Sequence, residues 1–235
     1  MYIDGKYYDV IPSRNGNQAL ALIKENDIDI VISDIMMPEM DGLELCRTLK
    51  SDIEISHIPV ILLTAKNRTE DRIECYNAGA DGYITKPFEL KVLEARINSF
   101  ITYKKAKQQK FQSNKEINIS TLDYPSLDEE FLQKAIRIIE QHLSDSEFDV
   151  AIFAEKLHLS KSSLYRKIKT MTGLSPVEFT RNIRLKHACQ ILQNQSLPIS
   201  EVAYTVGFSD PNYFTLCFKA EFNITPTDYR KNNPA

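Results

Sequence analysis

The stretch DIVISDIMMPEMDG, Asp29 to Gly42, decides how this chain is read. A run of apolar and small residues goes straight into a carboxylate, Asp34, and Met37-Pro38 then turns the backbone. A charge at the end of a buried strand is costly unless it has a partner or a task. Around it, residues 7 to 100 alternate short β-rich runs with helical patterns, the mark of a parallel sheet flanked by helices. Strands are expected at Tyr8 to Ile11, Ile28 to Ser33, Val60 to Leu63 and Gly82 to Thr85. Apolar residues at helical spacing place helices at Asn17 to Lys24, Leu43 to Lys50, Glu70 to Asn77 and Leu90 to Ile101. Ligands of open parallel sheets gather outside the carboxyl ends of the strands. Asp34 ends IVISD, Thr64 ends VILLT and Lys86 follows YIT, so a carboxylate, a hydroxyl and an ammonium converge there. A plain neutralising pair of Lys86 with Asp34 would need no Thr64.

The 235 residues leave room for two domains, each with its own core. No apolar run approaches the roughly 20 residues needed to cross a bilayer, and the start, MYIDGKYYDV, lacks the plan of a signal peptide. A soluble, cytoplasmic chain without membrane contact is the expectation. Cys46, Cys75, Cys189 and Cys217 stand singly, with no histidine at metal-ligand spacing, and read as small buried hydrophobes. The net charge is −3. Yet Lys161 to Lys186 holds Lys161, Arg166, Lys167, Lys169, Arg181, Arg184 and Lys186 against one acid, Glu178, a local excess suited to a polyanion.

From Thr102 to Ser126 apolar density falls and Lys, Gln, Asn and Ser rise, the composition of a solvated helix end running into a linker. Beyond Asp128 only helical patterns recur, and they repeat. Slid by about 50 residues, Ser160 to Phe179 lies over Asp210 to Tyr229, with Leu164 on Phe214, Ile168 on Phe218 and Ser175-Pro176 on Thr225-Pro226. Ser160 and Asp210 are helix-capping types, Pro211 suits a first helical position, and Gly173 and Asn223 tolerate a left-handed helix end. A short helix precedes each copy, with Ala154 and Ala203 four residues before His158 and Gly207, types able to take positive φ. The pattern is a helix-turn-helix, twice.

Over residues 7 to 101 the chain resembles the CheY-like receiver domain of response regulators. The motifs are D-x-x-M-P-x-M-D-G at Asp34 to Gly42, LLTA at Leu62 to Ala65 and GAD-x-YITKPF at Gly79 to Phe88. The resemblance implies an α/β, flavodoxin-like fold with Asp34 as phosphoacceptor, Thr64 and Lys86 on the phosphoryl oxygens and Tyr83 as aromatic switch. It also implies Mg²⁺, for which Asp34 and the Met36 carbonyl are part of a ligand set whose acidic pair has no counterpart here. Relative to that pattern the chain lacks the first strand and helix, so an N-terminally truncated receiver is expected. A haloacid-dehalogenase-like phosphatase also uses a strand-end aspartate, but it wants D-x-D where this chain has Asp34-Ile35-Met36; a non-enzymatic role is expected.

Residues 128 to 231 resemble the AraC-type DNA-binding domain, through Ala154, Leu164, Gly173-Leu174-Ser175-Pro176, Arg184, Ala188, Ala203, Gly207-Phe208, Tyr213-Phe214, Phe218, Pro226 and Tyr229-Arg230. That family joins two helix-turn-helix units by a long helix, here about Pro176 to Gln193, and enters successive major grooves. By family position Ser162, Tyr165, Arg166, Asn212, Thr215 and Leu216 read bases, with Lys169 beside them. Arg166 suits guanine, Asn212 adenine, and Leu216, where the family often has arginine, an apolar contact. The domains expected are a receiver over 1–101, a linker over 102–126 and an all-α double helix-turn-helix domain over 127–235 that folds alone. The whole resembles the cytoplasmic end of hybrid two-component sensors of Bacteroidetes. It implies duplex DNA and a histidine kinase domain as partners, the latter in the same or another polypeptide, and a homodimer on DNA. The alternative is an AraC-type transcription factor independent of phosphorylation, its receiver degenerate or truncated.

Overall fold

The computed structural model describes residues 8–65, 69–113, 124–194 and 196–232. The chain divides into two compact units, Met1–Ala106 and Lys107–Ala235. In the first, three parallel strands, β1 (Val31–Asp34), β2 (Val60–Thr64) and β3 (Gly82–Thr85), lie side by side in that order. β2 is central and buried at every position, as a strand covered on both faces must be. Side-chain alternation along the strands divides the core in two. Val31, Val60 and Leu62 pack with Ala19 and Ile23 of α1 (Gly16–Glu25), Leu43, Cys46 and Leu49 of α2 (Gly42–Ser51) and Cys75 of α3 (Thr69–Asn77). Ile61, Leu63 and Ile84 pack on the other face with Leu93 and Ile97 of α4 (Leu90–Ser113).

The strand expected at Tyr8 to Ile11 does not form. Val10 and Ile11 are exposed, and among the described residues β1 is an edge with no neighbour on its outer side. A β-rich run without a ladder partner has nowhere to place its backbone hydrogen bonds except water, so it stays an extended segment. Tyr8 alone is anchored, its ring against the α4-side core and its hydroxyl donating to Asn98 Oδ1 at 3.3 Å.

Among its described residues the second unit has helices as its only regular elements: the end of α4, then α5 (Ser126–Gln141), α6 (Val150–Leu157), α7 (Lys161–Thr172), α8 (Pro176–Asn194), α9 (Ile199–Thr205), α10 (Pro211–Phe222) and α11 (Pro226–Asn232). The repeat appears as two cores that share α8. Phe179 and Ile183 join α5, α6 and α7, whereas Leu185, Ala188, Cys189 and Leu192 join α9, α10 and α11. α7 and α10 both end on a left-handed residue, Gly173 at φ 76° and Asn223 at φ 58°, and the turns before them use His158 at φ 58° and Gly207 at φ 78°. Gly207 is also short of room: a Cβ there would lie 2.4 Å from the Leu143 carbonyl oxygen. The four cysteines are buried thiols outside any disulfide, Cys46 and Cys75 in the first unit, Cys189 and Cys217 in the second. Burial pushes the Cys46 thiol up to about 11. No helix among the described residues is long and apolar enough to cross a membrane.

Residues 107–113 differ from the expected linker. α4 continues to Ser113, and Phe111 is only 4% exposed, stacked on Phe179 with ring centroids 5.7 Å apart. The rest of the expected linker up to residue 123 lies outside the described residues.

Candidate functional site

The register brings the expected cluster to one end of the sheet. Asp34 pairs with Leu63, one residue short of Thr64, and Thr64 pairs with Thr85, one residue short of Lys86. The ladder continues past the strand ends, with Ile35 N donating to the Leu63 carbonyl at 3.0 Å and Lys86 N to the Thr64 carbonyl at 2.7 Å. Lys86 Nζ forms an ion pair with Asp34 Oδ2, and Asp34 Oδ1 accepts the Met36 backbone N–H at 3.3 Å. Both side chains of the pair are more than a third exposed, so the contact adds little stability and leaves the carboxylate within reach of an incoming group. Thr64 is buried at the neighbouring strand end, and the Lys86-Pro87 peptide is cis. Gly42 closes the loop after Asp34: its N–H donates to the Ile35 carbonyl at 2.9 Å, and a Cβ would lie 2.2 Å from the Asp34 carbonyl oxygen. Tyr83 packs half-buried on the α1/α2 side of β3, edge-on to Tyr76 at 5.6 Å with the Arg72 guanidinium over its ring.

Magnesium favours a near-octahedral shell of oxygens that includes one or two carboxylates. Among the described residues no three His, Cys, Asp or Glu side chains gather to hold a metal, and both Asp34 oxygens are already engaged. Asp34 and the Met36 carbonyl do not make a magnesium site by themselves.

In the second unit, local chemistry fixes where the two outward helices begin. Ser160 Oγ accepts the Ser163 N–H at 3.0 Å ahead of α7, and Asp210 Oδ1 accepts the Asn212 N–H at 2.8 Å ahead of α10. Leu164 and Ile168 on α7, and Phe214 and Phe218 on α10, are fully buried. The opposite faces carry the expected residues: Ser162, Tyr165 and Lys169 exposed with Arg166 half-buried on α7, and Asn212 and Leu216 exposed with Thr215 half-buried on α10. Two of these are engaged by their own helix. Lys169 Nζ donates to the Gly173 carbonyl at 2.8 Å, and Thr215 Oγ1 to the Pro211 carbonyl at 2.9 Å. Tyr213, not among the expected readers, is 51% exposed beside Asn212 and accepts from Arg181 Nη1 at 3.5 Å; its place on α10 next to the cap was the available signal.

The basic excess is partly interior. Lys167 Nζ pairs with Asp128 Oδ1 at 2.7 Å, with both side chains buried and the Phe131 ring 4.9 Å away. Arg184 donates to the carbonyls of Gly207 at 3.0 Å, His142 at 3.3 Å and Asp145, tying the turn before α10 to the end of α5. Burial lowers its pKa, against the opposing pull of Asp145. Lys186 Nζ donates to the Phe111 carbonyl at 3.1 Å, and burial pulls its pKa down to about 8 against the charge of Glu221. Lys167, Arg184 and Lys186 hold the unit together, which leaves Lys161, Arg166, Lys169 and Arg181 for its surface.

Known proteins share both halves. Residues 2–98 match the response regulator receiver domain, and residues 153–232 match a helix-turn-helix domain. The chain is 41% identical over 223 residues to Histidine kinase P4 of Formosa agariphila, across 95% of this chain and 16% of that protein. It is 34% identical over 149 residues to the heme response regulator HssR of Staphylococcus saprophyticus, across 63% of this chain and 62% of that protein. A solved structure, the C-terminal domain of the response regulator AraT from Geobacillus stearothermophilus, is 31% identical over 45% of this chain and 87% of that one, with a TM-score of 0.42. The chain thus spans less than two thirds of the length of these two full-length relatives. The first half of the chain belongs to the response regulator receiver domains and the second to the helix-turn-helix domains of AraC type.

Proposed function

We propose that the chain acts as a bacterial transcription regulator, working in the cytoplasm, whose duplex-DNA binding is set by phosphorylation of Asp34. One observation carries this reading: a solvent-reachable strand-end carboxylate paired with Lys86 occurs in the same chain as two capped helices with outward polar faces. An Asp34 carboxylate oxygen would attack the phosphorus of a phosphohistidine on a histidine kinase domain, forming the O–P bond as the P–N bond to imidazole breaks. The Lys86 ammonium and the Thr64 hydroxyl would take up charge on the transferred oxygens. Relatedness to a histidine kinase over nearly this whole chain supports a kinase as the donor. Ser162, Tyr165, Arg166, Asn212, Thr215 and Leu216 would face base edges, with Lys169 near the backbone and two copies of the chain on one site. Tyr83 would report the phosphorylated state to the rest of its unit.

The test is labelling by a small phosphodonor with Mg²⁺. We expect little or no labelling of the chain as it stands, clear labelling when a strand ending in two acids is joined ahead of Met1, and none in that background after Asp34→Asn. Label that survives Asp34→Asn sinks the assignment. Among the described strands only β1 ends in a carboxylate, which favours a second reading, DNA binding independent of phosphorylation. In that case neither phosphodonor nor Asp34→Asn changes duplex affinity.

A further inference from the structure

An α-helix leaves its last four carbonyls without intrahelical partners. In α7 those are Lys169, Thr170, Met171 and Thr172, and each has a donor. Gly173 N–H donates to the Lys169 carbonyl at 2.9 Å, as in an ordinary left-handed cap. The others are served from outside the helix. Gln108 Nε2 donates to the Thr170 carbonyl at 2.8 Å and to the Lys169 carbonyl at 3.3 Å, Gln112 Nε2 to the Thr172 carbonyl at 2.8 Å, and the Tyr124 hydroxyl to the Met171 carbonyl at 2.9 Å. Gln108 and Gln112 lie one turn apart on the end of α4. That end is itself fixed: Phe111 is buried on Phe179, its carbonyl accepts from Lys186, and Lys107 sits 4.4 Å over the Tyr124 ring. The notch is shaped for the glutamines, since a Cβ at Gly173 would lie 2.5 Å from Gln112 Nε2.

We propose that the end of α4 is a positioning element of the DNA-reading surface. Gln108 and Gln112 hold the carboxyl end of α7, and with it the pose of Ser162, Tyr165 and Arg166, so that sequence discrimination depends on α4 being docked. The inference rests on the DNA-binding reading above. Its physical ground is the unequal tolerance of the two kinds of contact. Base-edge hydrogen bonds are directional and fail when the helix shifts, whereas phosphate contacts accept a displaced cation. A loosened α7 therefore loses discrimination before it loses affinity.

The experiment uses the full chain and two probes at one salt concentration: the duplex that the wild type selects from a randomised pool, and a random-sequence duplex of equal length. In Gln108→Met/Gln112→Met the side chains keep their length and helix preference but lose their donors. We expect the ratio of the two affinities to fall about tenfold, the scale of one lost base contact, with affinity for the random duplex unchanged. Gln108→Lys/Gln112→Lys, which returns a donor to the same carbonyls, should restore the ratio even as its charge raises both affinities. If the double methionine variant melts below the assay temperature, Gln112→Met is judged by the same criterion. An unchanged ratio, or equal losses on both duplexes, overturns the proposal alone. A wild-type chain that selects no duplex overturns the DNA-binding reading and this proposal with it.

Discussion

Lys186 places an ammonium inside a protein core, against the Phe111 carbonyl and ring. Burial lowers its pKa from 10.5 to about 8, so between those values the folded chain binds fewer protons than the unfolded one, and stability must rise with pH. Tyr229, whose pKa burial raises to about 12, works the opposite way above pH 10. The contribution of Lys186 is therefore isolated by comparison with Lys186→Met, which does not titrate. Chemical denaturation of the second unit should show wild type gaining on the variant between pH 8 and 10, by on the order of 1 to 3 kcal/mol. A difference that stays flat would mean that the amine keeps its ordinary pKa. The neighbouring Lys167 shows what a count of charges misses and a helical wheel does not. Leu164, Lys167, Ile168 and Met171 fall at the spacing of one buried stripe, so the place of Lys167 in the interior was readable. Lys186 gave no such sign, because α8 is covered by a core on either side and has no single apolar face. Its burial comes from partners distant in the chain.

At the scale of elements, α10 offers the sharper test. Leu216 is 67% exposed, so Leu216→Arg should leave the thermal melt within about 0.5 kcal/mol of wild type, the usual range for surface changes. Its duplex affinity should rise, and the salt dependence should steepen by about one phosphate's worth if the new charge meets the backbone. An unchanged melt with unchanged affinity would show that α10 does not enter the groove. Helices such as this were legible because their limits are written locally: Ser160 and Asp210 start them, and Gly173 and Asn223 end them. The run from Tyr8 to Ile11 was not, since a strand is a property of a pair and the run's β-rich composition says nothing about a neighbour. The strand-end cluster was legible for the opposite reason. Three strands of known direction bring their last residues to one end whatever the details of packing, and Asp34 with Lys86 followed.

At the scale of the molecule, two domains could be read from two unrelated periodicities, one alternating strands and helices, the other helical and repeated. Their boundary could not. In KKAKQQKFQS a single phenylalanine carries the burial, and the glutamines that cap α7 look like any solvated helix surface. The consequence for fragments is measurable. A piece from Leu127 to Ala235 omits Phe111, whose loss from a core costs about 3 to 5 kcal/mol, and uncovers the α7 carbonyls as well. A piece from Lys104 to Ala235 should melt well above it, and matching melts would mean that the end of α4 adds nothing to the second unit. The buried cysteines have a use of their own at this scale. Each unit encloses two thiols shielded from solvent, and none of the four is tied in a disulfide. Alkylation by a small reagent, resolved site by site, therefore times the opening of each half separately within one unmodified polypeptide. Adding phosphodonor or DNA to that reaction would reveal whether a ligand of one half slows the breathing of the other.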